Sequence, residues 1–264
     1  MLKLRIITAV IGLPILVAAV WFGTPWFTIL IAAMAAIASF EFYKMSGNLG
    51  LQPLSLFGIF WTVILVASQH CQYDATIPLL VTLGIVIPAI WLLIRPPGRN
   101  ALASWALTIA GILYIGWMLG WWVNLRNLDN GREWVFFGLI ATFANDTCAF
   151  FCGRTWGTKP LAPSISPGKT WQGAIGGGLA TIVMSIILKA LLHLPTNYWQ
   201  VALLGCLISI FAQLGDLTES LFKRNAGVKD SGRLLPGHGG ILDRVDSLIF
   251  TGAIVYYWVI LAGL

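Results

Sequence analysis

Residues Ser220 to Asp246, SLFKRNAGVKDSGRLLPGHGGILDRVD, gather Lys, Arg, Asp, His and Gly into one short strip. Charged residues make up only 10 % of the chain, so the strip holds much of its ionisable chemistry. It lies between two long apolar stretches, where a membrane meets water. Lys223, Arg224, Lys229 and Arg233 offer ammonium and guanidinium groups that suit a polyphosphate. Gly237, Gly239 and Gly240 let backbone amides come close to a ligand. His238, flanked by glycines, is poorly placed for a packed core and suits donation to phosphate or proton carriage. Such a concentration in a membrane protein points to a site for a charged substrate.

Acids surround these cations. Gln213, Asp216, Ser220 and Lys223 recur on one helical face, with Glu219 beside it. Asp243 and Asp246 are three apart and share a face of the next helix, while Asp230 lies in the strip itself. Asn145 and Asp146 occupy an earlier apolar run, about 9 Å before its expected end. Three helices thus bring Asp146, Asp216 and Asp243/Asp246 to one depth of the membrane. Hard oxygen ligands without thiolates favour Mg²⁺ over zinc. The alternative is a set of ion pairs holding helices together, Asp246 with Arg244 or Arg224 among them.

A second segment, GRTWGTKPLAPSISPGKTWQGAIGGG, precedes another apolar run. Pro163 and Pro167 prevent a continuous helix through it. Ser164, Ser166, Gly168, Lys169 and Thr170 lead into the following helix. Amides at a helix start, hydroxyls and one Lys make an anion cradle. A loop capped by Ser and Thr is an equal alternative, and the GxxxxGK[ST] spacing of a P-loop is missing. Gly173 and Gly176–Gly178 are expected to let helices pack closely.

The elements that position these groups follow from composition. Hydrophobic residues form 58 % of the chain and the mean hydropathy is +0.84. Nine apolar runs read as membrane helices: 6–22, 26–40, 54–67, 77–94, 104–123, 134–152, 175–194, 198–222 and 241–264. Backbone groups within hydrocarbon must pair internally, and continuous rather than alternating apolarity argues against strands. The fold class expected is all-α, a polytopic membrane protein. The second and third runs are short enough to tilt or lie partly at the interface. The first run lacks a convincing cleavage site and reads as a retained helix rather than a signal peptide. Residues 1–133 form a scaffold of about five helices with one acid, Glu41. Residues 134–264 form the catalytic region, with about four helices and two cytoplasmic loops.

With the N-terminus in the cytoplasm, the inside holds Lys3, Arg5, Lys44, Arg95, Arg99, Arg154, Lys159, Lys169, Lys223, Arg224, Lys229, Arg233 and Arg244. The outside holds only Arg126, Arg132 and Lys189. This bias sets the site in the cytoplasm and the C-terminus outside. Cys148 and Cys152 read as small packing residues rather than half of a metal site. His70 and His193 fall on the outer side. Trp117, Trp121, Trp122 and Trp134 fit an interfacial belt better than a base-stacking site, and no nucleic-acid partner is expected. The net charge of +6 suits phosphates and anionic head groups. Residue chemistry alone therefore gives a membrane enzyme using Mg²⁺ and a polyphosphate. A nucleoside triphosphate and an anionic lipid both fit.

Ser220, Lys223, Arg224, Lys229, Asp230, Gly232, Pro236, His238, Gly239, Gly240, Asp243, Arg244 and Asp246 closely resemble the signature of the phosphatidate cytidylyltransferase (CDP-diacylglycerol synthase) family. The stretch NDTCAFFCGRTWGTKPLAPSISPGKTWQG is similar to that family's second motif, although Gly168 and Gln172 stand where many members carry Lys and Glu. The resemblance implies that CTP and phosphatidic acid give CDP-diacylglycerol and pyrophosphate. It implies Asp216 and Asp243 as metal ligands for Mg²⁺, with K⁺ a further candidate cation, and Asp246 in support. Lys223, Arg224, Lys229 and His238 would neutralise phosphates, with Asp230 among the catalytic set. Asn145, Asp146, Ser164, Ser166, Lys169, Thr170, Ser220, Gly239, Gly240 and Arg244 would contact substrate. A homodimer in a bacterial plasma membrane is also implied, and the absence of a targeting extension agrees with that membrane. Two rivals lack support. The acid pattern of CDP-alcohol phosphotransferases is missing, and the outer halves of the last two spans are nearly uncharged, which gives a cation-coupled transporter no path. The two halves also show no matched pair of broken helices.

Overall fold

A computed structural model describes residues 2–70, 75–94, 100–232, 234 and 239–264, with side chains from residue 10 onward. Arg95, Arg99, Arg233, Pro236, Gly237 and His238 lie outside the described residues, so the expectations placed on them stand on sequence alone. The apolar runs are helices, as the need to pair backbone groups inside hydrocarbon demands. They are α1 (Leu2–Phe22), α2 (Trp26–Gly47), α3 (Ser55–Ser68), α4 (Thr76–Ile94), α5 (Ala101–Gly111), α6 (Met118–Arg126), α7 (Gly131–Trp156), α8 (Trp171–Leu191), α9 (Tyr198–Asn225) and α10 (Leu242–Leu261). A π-helical turn, Ile112–Trp117, joins α5 to α6, so these two form one span. Among the described residues, seven helices are long and apolar enough to cross a membrane and two are shorter. The chain is an all-α, multi-pass membrane protein, and each of the nine runs has its helix.

Two lengths refine the sequence reading. The second span is not short: α2 has 22 residues, about 33 Å of helix. Its last part, EFYKMSG, continues the helix because Glu41, Phe42, Tyr43, Met45 and Ser46 are all buried. Helix α7 runs on to Trp156, which leaves Asp146 about 15 Å from the end rather than 9 Å.

By compactness the chain divides into two units, residues 1–124 with 225–244 and residues 125–224 with 245–264. In the first, Tyr43 of α2 occupies space that any Cβ at Gly58 or Gly111 would take, and its hydroxyl donates to the Thr108 carbonyl at 2.8 Å. Trp61 stacks on Phe57 and donates its Nε1–H to Leu80 O at 2.9 Å. On the expected outer side, His70 meets the hydroxyl of Thr28. Trp121 and Trp122 are 8 % and 1 % exposed, and in the second unit Trp134 is fully buried against Phe137. These three rings fill space between helices instead of forming a belt. Their large apolar area is worth more inside a packed interface.

The second unit also contains an element the sequence did not announce. Strands β1 (Pro160–Ala162) and β2 (Ser166–Thr170) pair antiparallel, with Pro160 opposite Thr170 and Ala162 opposite Ser166. Both strands are edges, which is where Pro160 and Pro167 are tolerated. The hairpin turns directly into α8.

Candidate active site

Glycine sets the distance between α7 and α8. A Cβ at Gly173 would sit 2.7 Å from Ala149 O and 3.1 Å from Gly153 Cα. One at Gly177 would meet Asn145 O and Oδ1, both at 2.9 Å, and Cys152 fills the space beside Gly176. The packing role expected for these glycines and for Cys152 follows. Helices α9 and α10 also meet at a glycine: Gly215 faces the Asp246 carbonyl, with no room for a side chain.

Between α7, α8, α9 and the hairpin lies a cavity of 440 Å³. That is within the usual range for a small-molecule site. Asp146, Lys169, Thr170, Gln213 and Asp216 line it, with Ala149, Phe150 and Leu161 on the apolar side. Lys169, carried in by β2, places its ammonium 2.7 Å from Asp216 Oδ2. Ser220 lies one turn along α9, its hydroxyl 3.5 Å from Asp216 Oδ1. Asp146 and Asp216 are electrostatic neighbours, and Asp246 of α10 lies within electrostatic reach of both. Three carboxylates from three helices thus converge in this unit.

Several expected substrate contacts also have structural duties. Thr170 caps α8, its Oγ1 accepting from Gly173 N at 3.2 Å. Asn145 is 1 % exposed; its Oδ1 accepts from Ser209 Oγ at 2.7 Å and its Nδ2 donates to Asp146 Oδ1 at 3.0 Å. It therefore ties α9 to α7 and aims Asp146. Asp246 Oδ1 accepts from Ser247 N at 2.7 Å. Lys223 pairs with Glu219, which is fully buried, and Arg224 Nε donates to Ile165 O at 3.2 Å rather than to Asp246. Ser164, at the hairpin turn, is exposed, and Ser166 is half-buried.

Gln172, absent from the expected set, organises the hairpin's approach. Its Oε1 accepts from Thr158 N at 3.2 Å and Lys159 N at 3.4 Å, while Nε2 donates to Thr158 Oγ1 at 2.6 Å. Gln172→Ala removes all three and is expected to cost about 1 kcal/mol, because these bonds are solvent-exposed. Activity should drop no more than about tenfold. Thermal unfolding in detergent together with turnover measures both.

The remaining expected residues belong to the first unit. Lys229, Asp230 and Arg244 are exposed. Asp243 Oδ2 accepts from Ser231 N at 3.0 Å, Ser231 Oγ at 2.9 Å and Gly240 N at 2.8 Å. Gly239 takes φ +85°, the left-handed region that glycine favours. The Gly240 amide is thus directed at Asp243, not held out for a ligand. The acid that sequence reasoning left in the scaffold is here too: Glu41, 3 % exposed, accepts from Ile241 N, Leu242 N and Ser231 Oγ. A lone carboxylate in an apolar span was the available signal.

Among the described residues no three His, Cys, Asp or Glu side chains form a metal cage. That donor set still fits Mg²⁺, which takes one or two carboxylates and completes its shell with water and phosphate. The cavity offers oxygen ligands and an ammonium, and Cys148, Cys152 and Cys206 are free thiols that do not line it.

Fold and site together define a multi-pass helical membrane protein with a carboxylate- and lysine-lined cavity. The chain belongs to the cytidylyltransferase family, whose model matches residues 3–262, and is a nucleotidyltransferase. It is similar to phosphatidate cytidylyltransferase 4, chloroplastic, of Arabidopsis thaliana, 37 % identical over 98 % of this chain and 73 % of that protein. It is also similar to the phosphatidate cytidylyltransferases of Bacillus subtilis (34 % identical, 97 % of each chain) and of Synechocystis sp. (34 % identical, 97 % of this chain and 96 % of that protein).

Proposed function

We propose that this chain transfers the cytidylyl group of CTP to phosphatidic acid. A phosphate oxygen of the lipid attacks the α-phosphorus of CTP. The anhydride bond to the β-phosphorus breaks, pyrophosphate leaves, and CDP-diacylglycerol remains in the membrane. The observation that carries this reading is the cavity where Lys169 meets Asp216 beside Asp146, in a chain whose relatives are phosphatidate cytidylyltransferases. One phosphate attacking another needs neutralisation and alignment more than a protein nucleophile.

Lys169, beside the start of α8, neutralises phosphate oxygens, and the apolar wall at Phe150 and Leu161 suits a lipid neighbour. Asp216 and Asp243 are the proposed holders of Mg²⁺, with K⁺ a candidate second cation. Bound there, the metal would supply Lewis-acid charge to the phosphates. Asp246 is proposed to support the site. Lys223, Arg224, Lys229 and His238 are proposed to serve the triphosphate and the departing pyrophosphate. The cation distribution supports a cytoplasmic N-terminus and site, with the C-terminus outside. A homodimer in a bacterial plasma membrane completes the proposal.

The test is pyrophosphate release by the detergent-purified chain given phosphatidic acid, CTP and Mg²⁺. Release is expected to require all three. Release without phosphatidic acid would overturn the acceptor, and release undiminished by a chelator would overturn the metal.

A further inference from the structure

Glu41 is a buried acid whose bonding partners lie about 200 residues away in sequence. It sits on α2, with Oε1 3.1 Å from Ile241 N and Oε2 2.8 Å from Leu242 N. Leu242 N is the first amide of α10 and Ile241 N the one just before it, so neither has a partner inside the helix. A carboxylate at a helix start satisfies them and meets the positive end of the helix dipole. Glu41 therefore caps α10 from another helix.

Ser231 extends the arrangement. Its hydroxyl stands 3.1 Å from Glu41 Oε2 and 2.9 Å from Asp243 Oδ2. One hydroxyl proton serves two carboxylates, so the position of each depends on the other. Ser231 N and Gly240 N, also donating to Asp243 Oδ2, fix that oxygen further. Space agrees with bonding: a Cβ at Gly232 or at Gly240 would collide with the Glu41 carboxylate. These two glycines of the charged strip make room for Glu41.

We infer that Glu41 is a positioning residue for the transfer reaction, holding Asp243 in place through Ser231 and the 240–242 backbone. This rests on the proposed role of Asp243. Glu41 touches no substrate in this assignment; its effect passes through the strip. A scaffold helix thereby sets the geometry of the motif.

Two variants and two readouts test it. Glu41→Gln keeps the shape but weakens acceptance at the α10 amides, and Ser231→Ala removes the bridge alone. Hydrogen exchange on the metal-free, substrate-free protein in detergent should show Ile241 and Leu242 amides exchanging at least tenfold faster in Glu41→Gln, with the α8 amides unchanged. Turnover should fall at least thirtyfold in Glu41→Gln and at least tenfold in Ser231→Ala, at near-constant KM for CTP. Glu41→Asp should recover part of the loss. Because both act along one path, the double variant should lose little beyond the worse single change. Unchanged exchange at Ile241 and Leu242 overturns the cap. Ser231→Ala at wild-type turnover overturns the bridge, and so does a double variant whose losses multiply. If Glu41→Gln does not fold, Ser231→Ala decides alone. A wild-type chain without activity on CTP and phosphatidic acid would instead remove the proposed function, leaving the exchange result to stand for the cap.

Discussion

Asp216→Asn is expected to lower turnover by about 10²- to 10³-fold, the loss typical when one preorganised charge is removed from a reacting centre. The substitution keeps size and shape, so packing does not account for the loss. It takes away the counter-charge of Lys169, whose ammonium lies 2.7 Å away with its side chain 23 % exposed. An ammonium held in a partly dehydrated cavity without its partner is costly, and the hairpin that carries it has reason to shift. Lys169→Gln removes the opposite member. It should lower turnover by about 10²-fold and raise KM for CTP, since ground-state phosphate contacts also go. Lys169→Arg, which keeps the charge on a bulkier, planar head, should lose less than Lys169→Gln. Because the two groups form a pair, Asp216→Asn with Lys169→Gln should fall short of the product of the single losses. Pyrophosphate release gives kcat and KM, and circular dichroism in the same detergent reports the fold. Turnover of Asp216→Asn within tenfold of wild type would remove Asp216 from the chemistry.

The spans were legible because the physics of a bilayer leaves little choice. A continuous apolar run must be helix, and every run found its helix. Ends were less legible where polar residues continue a helix into protein rather than into water. The EFYKMSG end of α2 shows this, since hydropathy falls there while burial does not. The hairpin was missed for a different reason. Five residues with Pro and Gly carry no strand pattern, and pairing with Pro160–Ala162 makes the strand. Charged groups were easy to nominate and harder to assign. Lys169 and Asp216, nominated for separate tasks, meet as an ion pair, while Thr170 is spent on a helix cap and Asn145 on its neighbours. Glu41 escaped because its bonding partners are Ile241, Leu242 and Ser231, so nothing local to α2 announces it. Its isolation in an apolar span was the clue.

Gly173→Leu is expected to disrupt the packing of α7 against α8. The atoms facing its missing Cβ are mostly backbone: Ala149 O at 2.7 Å and Gly153 Cα at 3.1 Å. A side-chain end can rotate aside, whereas these can yield only if α8 moves away from α7. That movement would also strain Thr170, whose Oγ1 accepts from Gly173 N to cap the helix. Overpacking of a tight core costs about 1–3 kcal/mol even where side chains can adjust, so about 3 kcal/mol or more is expected here. For a chain of this size that lowers the unfolding midpoint by roughly 6–12 °C. Turnover should fall with it, because α7 and α8 both line the cavity holding Lys169 and Asp216. Two controls separate crowding from the loss of glycine as such. Gly168→Ala meets nothing within 4 Å, and Gly178→Ala meets only Ser209 Oγ at 3.4 Å, an ordinary contact. Both should unfold within about 2 °C of wild type, a shift that corresponds to less than about 1 kcal/mol. Thermal unfolding of the three variants in one detergent makes the comparison. A Gly173→Leu midpoint equal to those of the controls would show that α7 and α8 part without cost, and the close approach would then lose its role in shaping the cavity.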